Sequence, residues 1–239
     1  MNSVAGEDVP GWYGKLPGLG DFASRRLPDE FIRAWDEWLQ QVIHAARTSL
    51  AEAWVDSYLT MPIWRFVLLP GLVGASGWAG VLMPSVDRVG RQFPLTLAAE
   101  LRSSAAAAGA LFEAADWFAA LEDAALSVLD PTRGPDDLDH GLASCAFPTF
   151  PEAEFDDGAV GTLRRLPSME AFSPQAKAEA FDAWGRQGGW KAIWWTRGRV
   201  DCDALILTSA ALPTAGEFVL LVQSRPAAAP NPRQTPAAH

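Results

Sequence analysis

Three groups of side chains in this sequence carry types and spacings capable of chemistry. The first is Lys15, Asp21 and Arg25, strung along Gly14-Lys15-Leu16-Pro17-Gly18-Leu19-Gly20-Asp21-Phe22 and the residues just after it. The second is Ser85, Asp87, Arg88 and Arg91 in the run Pro84-Ser85-Val86-Asp87-Arg88-Val89-Gly90-Arg91, with Asp36 as a further acid on the helix between the two groups. Two arginines three apart can grip a carboxylate or a phosphate in two-point geometry. They can equally pair with Asp87, Asp21 or Asp36 and tie a sheet to the opening loop and first helix, and this structural reading is the stronger. The third group is the histidines and cysteines: His44, His140 and His239, with Cys145 and Cys202 far apart.

Most catalytic patterns fail on inspection. A phosphate loop needs Gly-x-x-x-x-Gly-Lys followed by Ser or Thr, but Leu16 follows Gly14-Lys15 and position 9 is Val. A dinucleotide fingerprint needs a third glycine after Gly18-Leu19-Gly20, and none is in place. There is no Gly-x-Ser-x-Gly elbow and no His/Cys spacing for a metal, so no cofactor or metal is expected. Carboxylate-only hydrolysis stays open, because paired acids are recognised by geometry. A small-anion or nucleotide sensor built on Lys15, Arg88 and Arg91 is a further alternative.

The bulk properties narrow the class. A chain of 239 residues with 49% hydrophobic and 20% charged residues suits one globular domain. A net charge of -10 argues against nucleic-acid and anionic-membrane partners, which select clustered Lys and Arg. Two cysteines outside any metal spacing fit a reduced chain with buried thiols. With no signal-peptide pattern near Met1 and no apolar run of about 18 residues, a cytoplasmic location without membrane insertion is expected. Eleven tryptophans exceed ordinary usage, and core and interface are expected to share them.

The elements that must position these residues follow from periodicity. Residues 1–10 read as a flexible N-terminus. Asp29 to about Ser57 predicts a helix, with Phe31, Ile32, Trp35, Trp38, Leu39, Val42, Ile43, Ala46 and Leu50 on one face. Short apolar runs at Ile63–Leu69, Trp78–Met83 and Phe93–Leu101 predict strands, close enough in sequence to be antiparallel neighbours. A second helix is predicted over about Ala110–Leu129, with Leu111, Ala115, Phe118, Leu121, Ala125 and Leu129 on one face. Residues 130–161 hold many acids and prolines and read as a solvated acidic excursion. Ser173-Pro174 opens a short helix to about Trp184. Strands are predicted at Lys191–Thr196, Ala204–Thr208 and Glu217–Gln223, with hairpin turns between them. Residues 225–239, rich in Pro and Ala, read as a disordered tail. The fold class is α/β: a single domain over residues 11–224, with a central, largely antiparallel (mixed) sheet and helices packed on its faces.

Gly14-Lys15-Leu16-Pro17, Gly20-Asp21-Phe22, Leu27-Pro28 and Trp35-Asp36-Glu37-Trp38-Leu39 together resemble the opening of TagF proteins, a type VI secretion-associated family. The run from Pro84 to Arg91 before Phe93-Pro94-Leu95-Thr96 resembles the family's second signature, and Trp194-Trp195 fits its late tryptophan-rich strand. The resemblance spans Gly11 to Gln223. It implies a cytoplasmic accessory protein that represses the secretion system after translation, and the failed catalytic patterns add the expectation that it is not an enzyme. It also implies a partner, the system's forkhead-associated scaffold protein, and opposition to activation by a kinase–phosphatase pathway. Lys15, Asp21, Arg25, Asp36, Ser85, Asp87, Arg88 and Arg91 are the candidate binding residues; the resemblance supplies no catalytic ones.

Overall fold

Side chains alternate along the strands between two buried faces, which places a sheet between two layers of helices. In the strand Trp64–Leu68, Trp64, Phe66 and Leu68 enter one apolar cluster and Val67 enters the other. A computed structural model of the chain describes residues 9–101, 114–147, 163–166, 190–197 and 204–224. Its strands are β1 (Gly11–Lys15), β2 (Phe22–Arg25), β3 (Trp64–Leu68), β4 (Gly77–Met83), β5 (Leu95–Leu101), β6 (Leu163–Leu166), β7 (Ala192–Thr196) and β8 (Ala204–Ser209). They form one eight-stranded sheet in the order β2-β1-β5-β4-β3-β7-β8-β6. Every pairing among the described residues is antiparallel, so the α/β class holds without a parallel component there.

One face is covered by α1 (Asp29–Leu50), α2 (Trp54–Leu59) and a C-terminal helix at Ala215–Gln223. Pro28 precedes α1, and Asp29 and Glu30 lie in its first turn, where carboxylates favour the positive end of the helix dipole. Phe31, Trp35, Trp38, Leu39, Val42, Ile43 and Ala46 are its buried stripe. Trp35 is the centre of this layer, with ring centroids 5.4 Å from Phe31, 4.7 Å from Trp38 and 5.2 Å from Phe66. Its indole donates to Thr96 Oγ1 at 2.8 Å, so the polar atom of the ring is satisfied inside the core. Every tryptophan among the described residues is buried, so all of these serve the core and none is left for an interface.

The other face is covered by α3 (Ala115–Ser127) and α4 (Pro135–Leu142). Arg65 of β3 reaches into this layer, where Glu122 of α3 accepts from its Nε at 2.6 Å and its guanidinium lies 5.5 Å from the Phe118 ring centroid. Among the described residues no helix is long and apolar enough to cross a membrane.

Several expectations are corrected. The first helix stops at Leu50, because Ala51 adopts a left-handed φ of 46°, and a 3-10 turn leads to α2. The redirection turns Trp54 and Tyr58 inward, with rings 5.0 Å apart. The second helix is shorter than predicted, leaving Leu129 exposed beyond its end, and Leu111 falls outside the described residues. The acidic excursion contains α4, which buries Leu138 and Leu142 instead of lying solvated. Strands β2 and β6 escaped prediction. The helix expected at Ser173–Trp184, Cys202, residues 1–8 and the tail lie outside the described residues.

The largest correction is at Glu217–Gln223, expected as a strand and found as the helix α5 (Ala215–Gln223). The apolar run there has high strand propensity, but Phe218, Leu221 and Val222 are buried at helical spacing. Thr214 caps the helix: its Oγ1 accepts from Glu217 N at 3.3 Å, and Glu217 Oε2 accepts from Thr214 N at 2.8 Å. This reciprocal pairing satisfies two backbone donors that the helix end would otherwise leave open. Thr214→Ala should therefore lower stability by about 0.5–2 kcal/mol in chemical denaturation, and Thr214→Ser should restore most of it. A segment that were a strand would show no such cap dependence.

Candidate functional site

The two polar loops singled out by sequence meet at one carboxylate. β1 delivers Lys15 at its end, and the β4–β5 loop delivers Asp87. Lys15 Nζ donates to Asp87 Oδ2 at 3.0 Å, with the aspartate side chain wholly buried and the lysine nearly so. Arg91 Nε donates to the same oxygen at 2.6 Å. The other oxygen, Oδ1, accepts from the backbone N–H groups of Val89 at 3.0 Å and Arg91 at 2.9 Å. Four donors use the full accepting capacity of a carboxylate, about four lone-pair sites.

The cross-link reaches past this ion cluster. Arg91 Nη2 donates to Gly20 O at 2.6 Å, and Arg88 N donates to Leu19 O at 2.8 Å, which fastens the β4–β5 loop to the opening turn. Ser85 Oγ donates to Lys15 O at 2.7 Å, while Tyr58 OH donates to Ser85 O at 2.9 Å and accepts from Ser85 N at 3.0 Å. Gly90 turns the loop with φ 83°, a left-handed conformation that favours glycine. At Gly14 a Cβ would come within 2.2 Å of Pro94 O, so only glycine lets β1 approach the start of β5 this closely.

Aromatic rings close the cluster on one side. Phe22 lies 5.9 Å from Tyr13 in a stacked pair and 4.7 Å from Phe93 edge-on, and Lys15 Nζ sits 5.0 Å from its centroid. Tyr13 donates its hydroxyl to Asp36, and burial with the Asp36 bond and charge pushes its phenol far up, keeping it neutral. Burial would raise the Asp87 carboxyl, but the bonds from Arg91, Lys15 and Val89 outweigh it and hold the group well below the usual carboxylate range.

Of the candidate residues, Lys15, Ser85, Asp87 and Arg91 are thus brought together. Arg88 stands at the rim, its Nη2 3.4 Å from where a Gly20 Cβ would be. Asp21 is exposed and accepts from its own neighbour, Phe22 N, at 2.8 Å. Asp36 serves Tyr13 and Gln40 rather than an arginine. Arg25 belongs elsewhere: on β2 it pairs with Asp136 at 2.8 Å and with Asp139, both on α4.

That second cluster was missed in the sequence. Asp139 also takes Arg26 Nη2 at 2.6 Å and the Trp12 indole N–H at 2.9 Å, clipping α4 to β1 and to the segment after β2. Burial raises the Asp139 carboxyl, and the Arg26, Trp12 and Arg25 bonds more than compensate, leaving it below its ordinary value. Its signal was a Pro135 helix start followed by acids at positions 136 and 139, on one helical face. Beside it a cleft of about 880 Å3 opens between α3 and α4, lined by Asp123, Asp130, Asp137, His140 and Ser144 among others. Among the described residues no group of three His, Cys, Asp or Glu is placed to hold a metal ion.

The depressed Asp87 carboxyl ties loop geometry to pH. A folded value below the unfolded one of about 4 means the stabilisation is complete above that pH and disappears as pH falls below it. Asp87→Asn should lower the melting temperature at about pH 7 and flatten its decline below about pH 4. An Asn variant that melts with the parent at neutral pH would show that the cross-link contributes nothing.

The model of the TagF N-terminal domain family, described as type VI secretion system-associated, matches residues 11–145. That match contains both clusters and covers more than half of the 239 residues. Among solved structures, the chain is similar to the crystal structure of PA0076 from Pseudomonas aeruginosa PAO1. The two share 35% identity at a TM-score of 0.71, over 93% of this chain and 97% of that one. Comparison with curated proteins finds no match. Because the family model matches more than half of its residues, this chain belongs to the TagF N-terminal domain family of type VI secretion system-associated proteins.

Proposed function

We propose that this chain is a cytoplasmic, non-enzymatic regulator that represses type VI secretion after translation by binding the system's forkhead-associated scaffold protein. The observation that carries the reading is the Asp87 cross-link, which fixes two loops against each other while taking up every acceptor site of that carboxylate. A surface ordered before its partner arrives avoids part of the entropy cost of association, which suits a binding module. Family membership supplies the setting in type VI secretion.

The alternative chemistries are less well served. A general base needs a free acceptor, and Asp87 has none left. An anion sensor built on Lys15 needs its ammonium group, which is buried against Asp87. Calorimetric titration of the full chain with the scaffold protein encoded beside its own secretion system should give saturable binding. A folded scaffold that gives no heat and no shift in sedimentation would contradict the proposal.

A further inference from the structure

Around the cross-linked loops, almost every polar side chain has an internal task. Lys15 and Arg91 serve Asp87, Ser85 serves β1, and Asp36 serves Tyr13. Arg88 and Val89 differ. Their backbone N–H groups are fixed, Arg88 to Leu19 O and Val89 to Asp87 Oδ1. Their side chains are not: the Arg88 guanidinium makes no hydrogen bond or ion pair with the described residues, and Val89 is 70% exposed. We infer that Arg88 and Val89, at the tip of the β4–β5 loop, are a two-residue anchor for an acidic segment of a protein partner. The guanidinium takes one carboxylate and the valine packs on an apolar side chain beside it.

Three physical arguments support this. A turn closed by Gly90 is ordinarily built with Asn, Asp or Ser, which hold the bend without exposing apolar surface. The 70% exposed valine instead offers apolar surface at the tip that a partner can cover, and its stiff χ1 makes it inexpensive to immobilise. Gly20 leaves open the space against which the guanidinium rests, so Arg88 is backed by the opening turn instead of moving freely. Finally, Lys15, Arg88 and Arg91 against Asp21 and Asp87 leave a single net positive charge at the site, on a chain whose net charge is -10. A lone carboxylate matches one free guanidinium fork. A polyanion such as nucleic acid would meet the repulsion of the whole protein.

The inference rests on the chain being a binding module, but not on which protein it binds, and the test keeps the two apart. The full chain carrying the substitution Val89→p-benzoylphenylalanine is expressed in cells with their secretion system and irradiated. The same substitution at Val55, which is 47% exposed on α2, is the control. Mass spectrometry of the adduct should show a partner segment with Asp or Glu next to an apolar residue. Arg88→Glu, and Arg88→Ala more mildly, should reduce the adduct by about tenfold or more, as loss of an interface anchor does. The melting temperature should stay the same, since the side chain makes no bond to the described residues. A scaffold-derived segment supports both this inference and the proposed function. A segment from another protein keeps the anchor and overturns the scaffold as partner. No adduct above the Val55 control, a segment without carboxylates, a nucleic-acid adduct, or indifference to Arg88→Glu overturns the anchor.

Discussion

A carboxylate taken wholly out of water is costly unless its charge and lone pairs are met, and the local architecture follows from how Asp87 meets that demand. Two cations and two backbone N–H groups converge on it. The four donors come from three constraints: the end of β1, the guanidinium of Arg91, and a turn that presents Val89 N and Arg91 N to the same oxygen. Satisfying one buried group therefore fixes the β4–β5 loop internally and fastens it to the opening strand. The bond from Arg91 to Gly20 O extends the arrangement to the opening turn. Removing any one donor leaves a buried charge short of partners, so the cluster behaves as a unit.

This unit sits at the end of a sheet whose rigidity comes from aromatic packing. Trp35, Trp38, Phe66 and Trp194 stack in one layer, and the sheet's other face is closed by Trp117, Phe118 and Trp195. Such ring pairs each contribute about 0.5–1.5 kcal/mol beyond the area they bury. On the second face, α4 is held by Asp139 to Arg25, Arg26 and Trp12, so the two charged clusters grip β1 and β2 from opposite ends. Among the described residues the tryptophans are thus devoted to support.

How much of this was legible depends on range. Helix α1 and strands β3, β4 and β7 were legible because their signals are local: helical spacing from Phe31 to Ala46, and short apolar runs bounded by glycine and proline. The meeting of Lys15, Ser85, Asp87 and Arg91 was legible as two polar loops in need of partners, but not as one buried centre. Lys15 and Asp87 are 72 positions apart, and no local rule pairs them. The pairing of Arg25 with Asp139, 114 positions away, was hidden further by an acidic composition that reads as solvated loop. Glu217–Gln223 failed for a different reason. Its apolar residues favour a strand, while the Thr214 and Glu217 capping pair, visible in the sequence, decided for a helix.

The claim that a buried Asp87 holds both loops in place is tested most directly by amide hydrogen exchange at Val89 and Arg91, whose N–H groups point at its carboxylate. In the free protein both amides should be protected, and Asp87→Ala, which removes the oxygen they donate to, should release them while the core strands β3 and β4 stay protected. Fast exchange of both amides in the parent protein, or exchange unchanged by the substitution, would contradict the account.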